Sequence, residues 1–158
     1  CPQRHFDDIL YKNPKPTVDV IIEEENGKIL LVKRGVEPYK GKIALPGGHV
    51  EFGETVEHAA RRELFEETGV EAELIQILGV YSDPEREENF PDCHGISTVF
   101  IGKKIDGELK AGDDAREAKF YEMNELSKGD FAFDHWKIIQ DYVKWKENGG
   151  TYWSSKQI

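Results

Sequence analysis

Between Thr17 and Glu23, apolar Val18, Val20 and Ile22 alternate with Asp19 and Glu23, the two-residue period of a strand. Asn26-Gly27 is a dipeptide that favours a tight hairpin, so Lys28 to Arg34 is read as the returning strand. Residues 35–53 contain five glycines and two prolines, which predicts a loop apart from a short strand over 42–45. Residues 54–68 lack Gly and Pro and are rich in helix formers, with Gly69 as the stop, and predict a helix. Strands are expected over 72–81 and 96–105, joined by a polar loop that carries Pro84 and Pro91. A short strand over 118–122 follows. Trp136, Ile139, Tyr142 and Val143 then recur at helical spacing and predict a helix over 134–147. This order gives an α/β fold with a mixed sheet between helices. The length suits one domain over 1–158, with 1–16 as an N-terminal extension and 149–158 as a loose tail.

On a helical wheel, Val56, Ala59, Ala60 and Leu64 form one apolar stripe of the 54–68 helix. Glu63, Glu66 and Glu67 fall in the same half of the wheel, interleaved with that stripe. A solvated helix does the reverse. Carboxylates brought toward apolar surroundings cost free energy unless paired or bound to metal. Glu63 also faces like charges three and four residues on, which adds repulsion. A cation relieves both costs, and an all-oxygen donor set selects Mg²⁺ or Mn²⁺. The alternative is a helix with a solvated acidic edge. Gly47-Gly48, just before the helix, favours the cation, because glycine lets backbone approach a metal or phosphate closely.

The net charge of −10 argues against nucleic acid as the main partner. A small phosphorylated substrate remains compatible, since divalent cations can sit between it and the carboxylates. No apolar run reaches the ~18–20 residues of a bilayer span, and Cys1 to Leu10 lacks a secretory apolar stretch. The expectation is a cytoplasmic protein without membrane contact. Cys1 and Cys93 make no disulfide framework and are read as two unpaired thiols.

Gly48-x₅-Glu54-x₇-Arg62-Glu63-Leu64-x-Glu66-Glu67-x-Gly69-Val70 is similar to the Nudix hydrolase signature at every fixed position. The resemblance implies an α/β/α sandwich and hydrolysis of a nucleoside diphosphate joined to another group. It implies Glu63, Glu66 and Glu67 as metal ligands, with the Gly47 carbonyl as a further one. Arg62 is expected to orient a box glutamate, and Glu54 to support the loop and helix start. The base that takes the proton from the attacking water is expected to be Glu63 or, from a later loop, Glu117.

Gly79 to Pro84, with Arg86 and His94 after it, resembles the ADP-ribose pyrophosphatase branch, as does Phe131 to His135. That implies ADP-ribose plus water giving AMP and ribose 5-phosphate. Arg34, Pro84, Arg86 and His135 are the candidate substrate contacts, with Tyr81 and Phe90 as candidates to stack on adenine. His135 is equally read as a helix-start residue. Ile43 and His49 depart from residue types common in relatives. Tyr11 to Pro16 resembles a segment that follows a zinc ribbon in some relatives, but only Cys1 remains of one, so no zinc is expected. Homodimers are common in the branch, which makes a homodimer an expectation. The rivals are a nucleoside triphosphate pyrophosphohydrolase and a catalytically silent nucleotide-binding domain.

Overall fold

The central strand β1 (Lys15–Ile22) is buried on both faces from Val18 onward, so its polar Asp19 lies inside the protein. The computed structural model that shows this describes residues 13–87, 94–110 and 115–156, without the side chains of 87, 115 and 116. The readings of Cys1, Cys93, Phe90 and residues 1–12 lie outside the described residues.

β1 pairs in parallel with β6 (Gly95–Asp106) and antiparallel with β4 (Gly47–His49). β6 continues antiparallel to β5 (Glu71–Tyr81), and β5 pairs in parallel with β8 (Tyr152–Trp153). The resulting mixed sheet has the order β4-β1-β6-β5-β8. A second, antiparallel sheet joins β2 (Ile29–Arg34) to β3 (Ile43–Ala44) and β7 (Ala115–Tyr121). The sequence pattern predicts one mixed sheet between helices; the structure has that sheet and a second, smaller one.

Helix α1 (Val56–Thr68) buries Ala59, Ala60 and Leu64 against Val18, Val20, Ile22 and Phe100 of the large sheet. Burying a leucine such as Leu64 contributes about 1.5–3 kcal/mol. The helix starts two residues later than the sequence suggests, because Thr55 is its N-cap and accepts from the His58 amide. It ends at Gly69, whose φ of 70° is left-handed and whose amide donates to the Phe65 carbonyl. Helix α2 (His135–Asn148) covers the other side with Ile138, Ile139 and Tyr142, against Ile21, Leu78, Tyr81, Val99 and Ile101. The tail departs from its expected looseness. Tyr152 is buried on the sheet, and the Ser154 hydroxyl accepts from the Ser82 and Asp83 amides.

Candidate functional site

The β1–β4 register fixes the floor of the site. Asp19 faces Gly47 and Val18 faces Gly48, while the Val20 amide donates to the Pro46 carbonyl and the Val50 amide to the Pro16 carbonyl. Antiparallel alternation then assigns the β1 side of the ladder to Pro46, Gly48 and Val50. Gly47 and His49, between them, turn their amide and carbonyl groups outward from the sheet edge. Helix α1 runs beside that edge. Arg62 Nη2 donates to the His49 carbonyl (3.0 Å), and the Gly47 amide donates to Glu67 Oε2 (3.0 Å). The Gly47 carbonyl points to the same outer side.

Backbone requires glycine at Gly47, and the Glu63 side chain favours it at Gly48. A Cβ on Gly47 would stand 2.1 Å from the Val18 carbonyl oxygen and 2.6 Å from Asp19 Oδ1. A Cβ on Gly48 would stand 2.5 Å from the Glu63 carboxylate. The second glycine is therefore what lets Glu63 reach the backbone. Burial pushes the Glu67 carboxyl up to about 8, against the Gly47 hydrogen bond, with the negative charges of Glu63 and Asp19 adding to the rise. Burial also raises Glu63, opposed by Arg62. Glu66 departs from the inward reading, since its side chain is 45% exposed at the rim.

Arg62 organises the helix side. Its guanidinium meets Glu54 through two bonds (2.6 and 3.2 Å), Glu63 Oε1 at 2.9 Å and Glu66 Oε2 at 3.1 Å. Glu54 also accepts from the Glu51 amide at 2.7 Å, which fixes the turn before the helix. Its bond to Arg62 leads the interactions that hold its carboxyl down at about 2. Among the described residues, no three acidic or imidazole groups converge as a ready-made cation cage. Glu63 and Glu66 turn onto Arg62, and Glu67 onto Gly47. The donor set still fits a hard cation: all donors are oxygen, two of them are carboxyls disfavoured by burial, and Gly48 leaves room for one at the backbone.

The structure sorts the other candidates. Arg34 lies near enough to Glu67, Asp19 and His135 for its positive charge to be felt at all three. Its Nε donates to the Pro38 carbonyl (2.7 Å) and its guanidinium lies 5.1 Å from the Phe133 ring centroid. Pro84 is exposed at the start of the 3₁₀ turn Pro84–Glu87. Arg86 is 4% exposed and cannot meet a substrate as placed. Its guanidinium is taken by Asp134 Oδ1 (2.7 and 3.1 Å) and the Tyr81 carbonyl (3.2 Å). His135, 3% exposed, accepts the Leu45 amide at Nδ1 (2.9 Å) and so supports the loop rather than a ligand. Tyr81 is likewise buried, its hydroxyl donating to Asp141 (3.0 Å), which rules out stacking on adenine.

Glu117 lies in β7, not in a loop. The register places it opposite Lys33, and it pairs with Lys119 at 2.8 Å. The register shifts between Lys33 and Arg34; Glu117 lines a surface with Lys33, Lys119 and Asp130, while Val32 packs with Phe133 and Arg34 lies over that ring. Glu117 is therefore not brought to the box glutamates. Asp19 is a residue that sequence reasoning missed as part of the site. Burial lifts its carboxyl to about 7, opposed by Arg86 and by the Ser97 hydroxyl, which donates to it. A lone acid in an otherwise apolar strand was the available signal.

The NUDIX domain model matches residues 13–142. The ADP-ribose pyrophosphatase of Methanocaldococcus jannaschii is 57% identical over 137 residues, which cover 87% of this chain and 78% of that protein. A crystal structure of a NUDIX hydrolase from Nitrosomonas europaea superposes with a TM-score of 0.78 at 31% identity, over 91% of this chain and 79% of that one. A bifunctional NMN adenylyltransferase/ADP ribose pyrophosphatase from Francisella tularensis, complexed with AMP and a Mn ion, superposes with a TM-score of 0.72 at 29% identity. It is matched over 94% of this chain and 45% of its own.

Proposed function

The chain belongs to the Nudix family, and on that premise we propose that it hydrolyses ADP-ribose to AMP and ribose 5-phosphate with Mg²⁺ or Mn²⁺. The observation that carries the reaction class is the seam between β4 and α1. There Glu63 and Glu67 lie against Gly48 and Gly47, beside an outward-turned Gly47 carbonyl. The substrate is supported by the relative from M. jannaschii, and Mn²⁺ and AMP by the complex from F. tularensis.

Glu63, Glu66, Glu67 and the Gly47 carbonyl would hold the cation. A divalent cation held there supplies positive charge to the pyrophosphate oxygens and acidifies water. To hold it, Glu63 and Glu66 would give up their bonds to Arg62, which Glu54 keeps in place through its two bonds. Arg34, on the same side as Glu67, binds a phosphate oxygen of the substrate. Glu63, reaching the backbone at Gly48, accepts the proton of the attacking water. The water oxygen forms a new bond to one phosphorus, the bridging P–O bond at that phosphorus breaks, and two monophosphates remain.

Among the described residues no helix is long and apolar enough to cross a membrane. We place the reaction in the cytoplasm and read the enzyme as a homodimer, which equilibrium sedimentation tests. The substrate is tested by incubating the chain with Mg²⁺ and ADP-ribose or, separately, a nucleoside triphosphate, and resolving the products. AMP and ribose 5-phosphate are expected. Pyrophosphate release from the triphosphate with little AMP from ADP-ribose overturns the reading. Tight nucleotide binding without turnover points instead to the silent domain.

A further inference from the structure

Four backbone groups of the strip that carries the Gly47 carbonyl are tied down, and the ties come from different parts of the chain. The Ile43 carbonyl accepts from the Ala132 amide (2.8 Å), and the Pro46 carbonyl accepts from the Val20 amide (2.9 Å). The Leu45 amide donates to His135 Nδ1 (2.9 Å) and the Gly47 amide to Glu67 (3.0 Å). Two of these four partners are side chains. Glu67 belongs to the ligand set, so among the described residues His135 is the side chain seen to anchor the strip without belonging to it.

His135 is itself fixed. Accepting at Nδ1 leaves the ring proton on Nε2, which faces Asp19 Oδ1 at 3.6 Å. Asp19 Oδ2 accepts from the Ser97 hydroxyl on β6. Asp19 also closes the floor under Gly47, where even a methyl group would collide with it. On its other side, His135 follows Asp134, whose carboxylate holds the buried Arg86 at 2.7 Å. Arg86 donates in turn to the Tyr81 carbonyl at the end of β5. A buried polar chain thus connects the segment after β5, the start of α2 and the Leu45–Gly48 strip.

We infer that His135 is a positioning residue that holds the Leu45–Gly48 strip so that the Gly47 carbonyl is presented to a divalent cation. This rests on the reading above that Gly47 and the box glutamates bind one. His135 touches no ligand. It acts through Leu45, as residues bonded to metal ligands act in other sites, where their loss costs about 10–100-fold in metal affinity.

The test is Mn²⁺ affinity by electron paramagnetic resonance in the absence of substrate, with melting temperature measured alongside. His135→Leu removes the acceptor and is expected to weaken Mn²⁺ binding about tenfold or more. It should also lower kcat for ADP-ribose more than it changes KM. His135→Asn places an amide oxygen where Nδ1 stood, within reach of the Leu45 amide, and is expected to recover most of the affinity. A purely structural role would lower the melting temperature of both variants without moving Mn²⁺ affinity. Folded His135→Leu with wild-type Mn²⁺ affinity overturns the inference. Should His135→Leu fail to fold, His135→Phe, a ring of similar size without an acceptor, is read in the same way. Wild-type protein that binds Mn²⁺ but makes no AMP sinks only the ADP-ribose reading. Wild-type protein that binds no Mn²⁺ sinks both.

Discussion

The Gly47 amide and the Glu67 carboxylate meet at 3.0 Å across the seam between β4 and α1. Twenty positions apart in sequence, they are brought together because antiparallel alternation turns Gly47 outward where the helix passes. The bond joins a backbone donor to an acid that burial disfavours, at the point where the pyrophosphate chemistry is proposed to occur.

The two glycines of this edge should fail in different ways. Gly47→Ala puts a methyl group 2.1 Å from the Val18 carbonyl, against backbone that cannot yield. We expect a loss of roughly 3 kcal/mol or more, seen as a lower denaturant midpoint. Gly48→Ala meets the movable end of Glu63 instead. It should fold with little loss and turn over at least about tenfold slower, because Glu63 is displaced from the backbone. Equal stability losses in the two variants would contradict this account.

Arg62→Lys keeps the charge but cannot span Glu54, Glu63, Glu66 and the His49 carbonyl at once. Stability should fall by about 1–3 kcal/mol and turnover by at least about tenfold. Thermal melts and steady-state rates read the two effects separately. Full activity in Arg62→Lys would mean that the guanidinium does not order the box.

Glu117→Gln should leave kcat within about twofold of wild type, since a general base contributes about 10²–10⁴-fold and Glu117 pairs with Lys119 on a surface shared with Lys33 and Asp130. A drop of a hundredfold or more would return the base to β7. Glu63→Gln assayed beside it should show the large loss.

Stability should weaken in mild acid through His135. Burial, aided by the positive charges of Arg86 and Arg34, holds the imidazole well below its ordinary value. The groups facing it are Asp19 on β1, Arg34 on β2 and Arg86 after β5, with Ser97 of β6 behind Asp19. The unfolded chain binds a proton near pH 6.5 and the folded chain does not, so protonation favours unfolding. The contribution is present above about 6.5 and declines as pH falls below it. His135→Gln should flatten this part of the melting-temperature profile between roughly pH 7 and 5. Parallel profiles for the two proteins would refute the assignment.

How much of this was legible in the sequence depends on the range of the signal. Helix α1 and its Gly69 stop follow from local composition and spacing, with the start moved two residues by the Thr55 cap; Glu63 and Glu67 turn inward as the wheel predicts, whereas Glu66 stays at the rim. β4 was invisible, because Gly-Gly-His carries no strand propensity and is held by its ladder to β1. β8 is two residues long and exists only through its pairing with β5. In the sequence Arg86 is a candidate contact because arginine suits phosphate, and His135 because its segment resembles the branch. Only the fold shows that their polar atoms are consumed by Asp134 and Leu45. Asp19 fell on the apparent polar side of an alternating strand, yet β1 is central and both of its faces are covered.

The most direct measurement is a Mn²⁺ titration of wild type and Glu67→Gln by electron paramagnetic resonance. The glutamine can still accept the Gly47 amide, so the fold should persist while a charged ligand is lost. The account predicts at least about tenfold weaker Mn²⁺ binding in a folded variant, with turnover reduced by a factor of about a hundred or more. Unchanged Mn²⁺ affinity in folded Glu67→Gln would contradict it.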